Sequence, residues 1–237
     1  MRVSVSPQQP VVIFGGFLIT QEAYLTMASR IHALSGAPVE IVAVSRMEWL
    51  RTSAAAGWNR CLDRVDAMVR RLRTDSPTGR VTLIGHSSGG VMLRPYLSEQ
   101  SFLGRRYNGA QHCNRLITLG SPHQARRATP LRAQVDHCFP ACPWADRVDA
   151  IAVAGVLDLS SSTASWLSRR LAQRSYRQIK GEGSSLGDGL VPVESALLRD
   201  AHPITLENTA HGGAFGSSWY GSAERVDQWW TAACVDA

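Results

Sequence analysis

The stretch Val81-Thr82-Leu83-Ile84-Gly85-His86-Ser87-Ser88-Gly89-Gly90 decides how this chain folds. The run Val81 to Ile84 predicts a buried strand, Gly-x-Ser-x-Gly follows it directly, and a helical pattern lies behind. Glycines at Gly85 and Gly89 suit a strained serine backbone crowded by neighbouring elements. A strand–serine–helix elbow of this kind puts the Ser87 hydroxyl at the tip of a sheet, where a base and an incoming carbonyl can both reach it. In a chain with 20 glycines such a pentapeptide can also arise by chance. Its meaning therefore depends on the partners the rest of the sequence supplies.

Outward from the elbow, strands alternate with helices, with no repeat or low-complexity segment. Pro10 to Phe14 reads as a buried strand ending in Gly15-Gly16-Phe17. A helix over about Gln21 to Leu34 places Tyr24, Leu25, Met27, Ala28 and Ile31 on its apolar face, and Gly36-Ala37-Pro38 breaks it before a strand at Val39 to Val44. Asn59 is the expected cap of a helix through Arg73, with Leu62, Val65, Met68, Val69 and Leu72 as its stripe. Ser88 to Leu97 is the helix behind the elbow, with a kink or early end expected at Pro95. Further strands are expected at Arg115 to Leu119, Ala150 to Ala154, Tyr176 to Lys180 and Ile204 to Leu206, and helices at Ser165 to Ser175 and Glu224 to Ala233. Residues 124–147 carry Leu131, Val135, Phe139 and Trp144 and are expected to cap the cleft. The chain as a whole, 1–237, reads as a single α/β domain: a mostly parallel sheet, helices on both faces, right-handed crossovers.

Composition excludes several classes. The net charge is +6, but the basic residues are almost all arginine, Lys180 being the single lysine, and they are dispersed. No aromatic-interleaved basic patch accompanies them, so nucleic acid is not an expected partner, whereas weak contact with an anionic membrane surface is. No run is long enough to span a bilayer and the first residues lack the apolar core of a signal peptide, so a cytoplasmic location is expected. Five cysteines, an odd number, argue against a fully paired disulfide framework. Cys138 and Cys142 invite a disulfide or a zinc site, but no second pair at matching spacing follows, and no metal is expected.

A serine hydroxyl needs a base, usually an imidazole held in one tautomer by a carboxylate. Among seven histidines, His211 stands apart because it follows the last strand in Asn208-Thr209-Ala210-His211-Gly212-Gly213. His86 is read as a support for the elbow, His32 as a helix-surface residue, and His123 as lining the cleft or holding its own loop. The best carboxylate is Asp188 in Gly187-Asp188-Gly189-Leu190-Val191-Pro192, where flanking glycines let an acid turn inward; Asp158, also beyond a strand, is the runner-up. Glu194 and Glu207 read as local or surface acids. Each of these motifs falls at the carboxyl end of a strand, where open α/β sheets gather their chemistry.

With the order nucleophile, acid, base, the chain resembles the α/β-hydrolase superfamily, in its lipase/esterase branch. The resemblance rests on Gly-His-Ser-Ser-Gly-Gly, on Leu119-Gly120-Ser121-Pro122-His123 after a strand, and on the Gly-Asp-Gly-Leu-Val-Pro loop. It implies a catalytic triad of Ser87, Asp188 and His211 and an oxyanion hole from the backbone N–H groups of Phe17 and Ser88. Gly15-Gly16 replaces the commoner His-Gly or Pro-Gly pair before Phe17, which leaves the first donor open. The implied activity is hydrolysis of small-molecule or lipid-like carboxylic esters without a cofactor. A thioesterase or acyltransferase using the same triad, and a non-catalytic ligand-binding protein of the same fold, are the alternatives.

Overall fold

The computed structural model describes residues 5–125, 129–158, 166–179 and 186–235. Its centre is a six-stranded, wholly parallel sheet of β1 (Val11–Phe14), β2 (Val39–Ile41), β3 (Val81–His86), β4 (Cys113–Leu119), β5 (Asp149–Val156) and β6 (His202–Glu207), in the order β2-β1-β3-β4-β5-β6. The helices are α1 (Leu25–Ser35), α2 (Arg46–Arg51), α3 (Ala55–Leu72), α4 (Ser88–Leu97), α5 (Pro130–Cys138), α6 (Trp166–Ile179), α7 (Val193–Ala196) and α8 (Ala223–Val235).

Alternation along β1 sends Val12 and Phe14 to one face of the sheet and Val11 and Ile13 to the other. The first face is covered by α3 and α4, the second by α1 and α8. Both faces are dry, which is why the strands read as continuous apolar runs. On α3 the buried residues Trp58, Cys61, Leu62, Val65, Val69 and Leu72 recur at helical spacing and form its stripe.

The strand order creates the site's location. From β1 the chain steps outward to β2, then returns to the opposite side of β1 as β3. Between the carboxyl ends of β1 and β3 the connections diverge to opposite sides, leaving a crevice at the switch point. Gly16 and Phe17 leave β1 on one side of that crevice, and Ser87 leaves β3 on the other.

Some local expectations are corrected. Helix α3 starts at Ala55, ahead of Asn59, whose side chain instead donates from Nδ2 to the Leu103 carbonyl at 3.0 Å. The expected strand at Tyr176 to Lys180 is the last turns of α6, up to Ile179; Lys180 lies outside the described residues. Ala172 and Tyr176 are buried and Ile179 partly so, a helical rather than alternating spacing. Leu25 is exposed rather than on the apolar face of its helix. Helix α4 holds Pro95 in its last turn and ends shortly after it, at Leu97. Within 124–147, Val135, Phe139 and Trp144 are buried, and Leu131 packs against them, in the core on the α3–α4 face. These side chains complete that core instead of lining a cleft. The buried Arg94 of α4 fastens the segment by donating to the Asp136 carboxylate at 2.9 Å and the Phe139 carbonyl at 2.6 Å.

Candidate active site

Ser87 sits at the turn between β3 and α4 with φ 53° and ψ −123°. This is a strained conformation for a residue with a Cβ, and the surrounding packing enforces it. A Cβ on Gly85 would lie 2.4 Å from Gly90 Cα, and one on Gly89 would lie 2.4 Å from the carbonyl oxygens of Phe14 and Gly15. The glycines expected of the elbow are thus required by close backbone approach. The Ser87 N–H donates to the Leu119 carbonyl at 2.9 Å, which pins the turn to β4.

The structure brings Ser87, His211 and Asp188 into one line. His211 Nε2 lies 3.0 Å from Ser87 Oγ, and His211 Nδ1 lies 2.8 Å from Asp188 Oδ2. Asp188 and His211 are buried, and Ser87 is 8% exposed. Since the carboxylate only accepts, Nδ1 carries the ring proton and Nε2 presents its lone pair to the serine. Asp158, the runner-up acid, is exposed, as are Glu194 and Glu207.

Asp188 is held by four donors. Its Oδ1 accepts from the N–H groups of Leu190 at 3.0 Å and Val191 at 2.7 Å, and its Oδ2 accepts from Tyr220 Oη at 2.9 Å as well as from His211. The tight loop that turns it inward is closed by Asp188 N–H donating to the Val191 carbonyl at 3.2 Å, with Gly189 at φ 94°. Tyr176 Oη, from α6, accepts from the Gly189 N–H at 2.8 Å. The Tyr220 hydroxyl also accepts from the Gly155 N–H at 2.7 Å. Burial, and next the Asp188 charge, push the Tyr220 phenol well above its ordinary value, so it stays a donor.

A second chain of hydrogen bonds runs behind the serine. The Gly16 N–H donates to Tyr24 Oη at 2.8 Å, Tyr24 donates to His86 Nδ1 at 2.8 Å, and His86 Nε2 donates to the His211 carbonyl at 2.8 Å. His86 has no exposed surface. Its burial, followed by repulsion from His211, holds its imidazole neutral, well below the usual histidine range. His86 thus supports the elbow, as its position suggests. His123 is buried beneath its loop, 3.1 Å from Thr118 Oγ1, and does not line the crevice. His32 is exposed at the end of α1.

Gly16 brings the β1 loop against the elbow: a Cβ there would lie 2.8 Å from Ser87 Cβ. Phe17 follows it, and Ser88 is the first residue of α4, where N–H groups have no partner within the helix. Sequence reasoning missed Tyr24, Tyr176 and Tyr220. Tyr24 was legible only as a core residue of its helix, and nothing local distinguishes a tyrosine that packs from one that packs and bonds. The five cysteines are free thiols, Cys138 exposed and Cys142 buried. Among the described residues no group of three or more His, Cys, Asp or Glu side chains could hold a metal ion, and no helix is long and apolar enough to cross a membrane.

Comparison with known proteins bears on the family and the fold. A family model described as palmitoyl protein thioesterase matches residues 10–178. The match takes in Phe17, Ser87 and Ser88 and stops before Asp188 and His211. A mature Bacillus licheniformis lipase superposes with a TM-score of 0.62 at 16% identity, covering 95% of this chain and 90% of that one. A structure from Xanthomonas campestris pv. campestris, described as a hydrolase of the α/β superfamily, gives 0.53 at 14% identity, covering 94% and 98%. At these identities the two structures speak for the fold, an α/β-hydrolase fold. A search of curated proteins found no match.

Proposed function

Because the chain belongs to the palmitoyl protein thioesterase family, and so is an α/β-hydrolase with the ester-cleaving activity of that group, we propose that it is a serine hydrolase of carboxylic acyl esters. The single observation that carries the reading is the relay from Ser87 Oγ to His211 Nε2, 3.0 Å, and from His211 Nδ1 to Asp188 Oδ2, 2.8 Å. Ser87 Oγ attacks the acyl carbonyl while its proton passes to His211 Nε2, leaving a tetrahedral oxyanion. The N–H groups of Phe17 and Ser88 face that charge, the latter at the positive end of α4. His211 then returns the proton to the departing oxygen or sulfur, and the acyl group stays on Ser87. Water, deprotonated by the same imidazole, attacks the acyl-enzyme, the acid leaves, and the proton goes back to Ser87. Asp188 keeps the imidazole in the required tautomer and stabilises the imidazolium that forms.

The family match favours a second reading, in which the leaving atom is sulfur and the acyl group is long. The relay serves both, since a thiolate needs the returned proton less than an alkoxide. Labelling by a fluorophosphonate probe tests the first reading: the wild type is expected to label and Ser87→Ala not. A folded Ser87→Ala protein that still cleaves p-nitrophenyl esters at the wild-type rate overturns the mechanism. Turnover of oxygen ester and thioester pairs, matched in acyl chain and lengthened stepwise, decides between the two leaving atoms.

A further inference from the structure

Seven large apolar side chains are exposed among the described residues, and four of them, Phe17, Leu18, Met47 and Leu50, sit on two segments fastened to each other. The fastener is Trp49. It stacks on Phe14 with ring centroids 5.5 Å apart, meets Phe17 edge-on at 6.3 Å, and donates from Nε1 to the Ile19 carbonyl at 3.2 Å. With Trp49 buried, α2 turns Met47 (62% exposed) and Leu50 (50%) outward. The loop after β1 adds Phe17 and Leu18, the latter held at φ 63°, a left-handed conformation unusual for a leucine. This apolar rim begins at Phe17, beside the Ser87 crevice.

The charge around the rim is cationic. Arg46 and Arg51, at the two ends of α2, are exposed, and so is Arg60, which with Met47, Leu50 and Arg51 lines a depression of about 600 Å³. Glu48 is neutralised by Arg64, and of the exposed carboxylates nearby Asp63, beside Arg60, faces Arg105, while Glu22 lies near Arg46. Outward apolar side chains flanked by guanidinium groups match the layering of an anionic lipid surface, with phosphates outside and hydrocarbon beneath.

We propose that the rim formed by the β1–α1 loop and α2 docks on an anionic lipid surface, which brings the mouth of the crevice against the lipid. Docking uses side chains that take no part in the chemistry at Ser87, so the two can be measured apart.

The experiment is co-sedimentation of the whole protein with vesicles of phosphatidylcholine, with and without phosphatidylglycerol. Binding is expected only with phosphatidylglycerol and is expected to weaken as salt rises. Arg46→Glu and Arg51→Glu should each reduce partitioning at least about fivefold. The pair Met47→Ser and Leu50→Ser should reduce it about tenfold or more. All of these variants should turn over a soluble short-chain p-nitrophenyl ester at the wild-type rate, because none touches the relay. Absence of binding to either vesicle, or equal binding by the wild type and the Met47→Ser/Leu50→Ser variant, overturns the proposal. So does self-association of the wild type that the same variant abolishes without any change in vesicle binding, which assigns the rim to a second copy of the chain. Vesicle binding by a protein without ester turnover defeats the hydrolase reading and leaves the docking surface standing.

Discussion

The backbone of His211 is gripped from both sides: its carbonyl accepts from His86 Nε2 at 2.8 Å, and its N–H donates to the Asp188 carbonyl at 2.7 Å. The placement of the His211 imidazole thus depends on the residue preceding Ser87. His86→Ala removes the first grip and leaves a buried carbonyl without its donor, at a cost of about 1–3 kcal/mol. The expected result is a ten- to hundredfold fall in kcat with KM little changed, a range that follows from the same energy. Steady-state kinetics on a soluble ester, with a melting curve to confirm folding, checks it.

Tyr24→Phe removes two bonds at once, the acceptor for the Gly16 N–H and the donor to His86 Nδ1. The loop carrying Phe17 should loosen and kcat should fall about tenfold, by the worth of roughly one hydrogen bond. Tyr220→Phe should be worse for stability, because besides the Gly155 N–H losing its acceptor the donor lost serves the buried Asp188 carboxylate, whereas the donor lost with Tyr24 serves a neutral imidazole. Chemical denaturation of the two variants side by side tests the ranking: Tyr220→Phe is expected to be the less stable.

Acid should weaken the fold before it harms the surface. His86 and His123 are both buried, and burial lowers both imidazoles well below the usual histidine value. In the unfolded chain they protonate near pH 6.5, while in the folded protein they remain neutral. Their effect on stability is absent above that pH and grows as a loss below it, by up to about 1.4 kcal/mol per pH unit for each. Melting temperatures between pH 7 and 5 are expected to fall, and His123→Gln should flatten the slope. An unchanged slope in that variant removes His123 from the account.

Two glycines should separate activity from folding. A Cβ on Gly16 meets the side chain of Ser87, whereas a Cβ on Gly85 meets the backbone of Gly90. Gly16→Ala can be accommodated by displacing the serine, so fluorophosphonate labelling should drop while the melting curve shifts little. Gly85→Ala must part a strand from its helix, and a loss of about 1–3 kcal/mol or more is expected. Near-wild-type labelling of Gly16→Ala contradicts the close approach of the β1 loop to Ser87.

The sheet was legible because both of its faces are dry. Residues such as Val11 to Phe14 and Arg115 to Leu119 announce buried strands without reference to the rest of the molecule. The elbow, the Asp188 loop and the His211 loop were legible because each needs glycine or a reversal of direction that leaves a local mark. Tyr176 was misread because a short stretch holding Tyr176 and Ile179 looks like a strand until the helical spacing of Tyr176 with Ala172 is noticed. Asn59 misled as a cap because α3 begins at Ala54–Ala55, with no side-chain cap at all. The ring of Tyr24 looked like core and is core, and Tyr220 carried no local signal; only their hydroxyls join the site, and their partners lie on other segments of the chain.

The order of the strands also sets a schedule. Ser87 follows the third strand to be synthesised, while His211 follows the sixth, at the far edge of the sheet. A growing chain therefore contains Ser87 long before it contains His211. On the proposed mechanism, a chain that ends before β6 therefore holds the hydroxyl without the imidazole that would activate it.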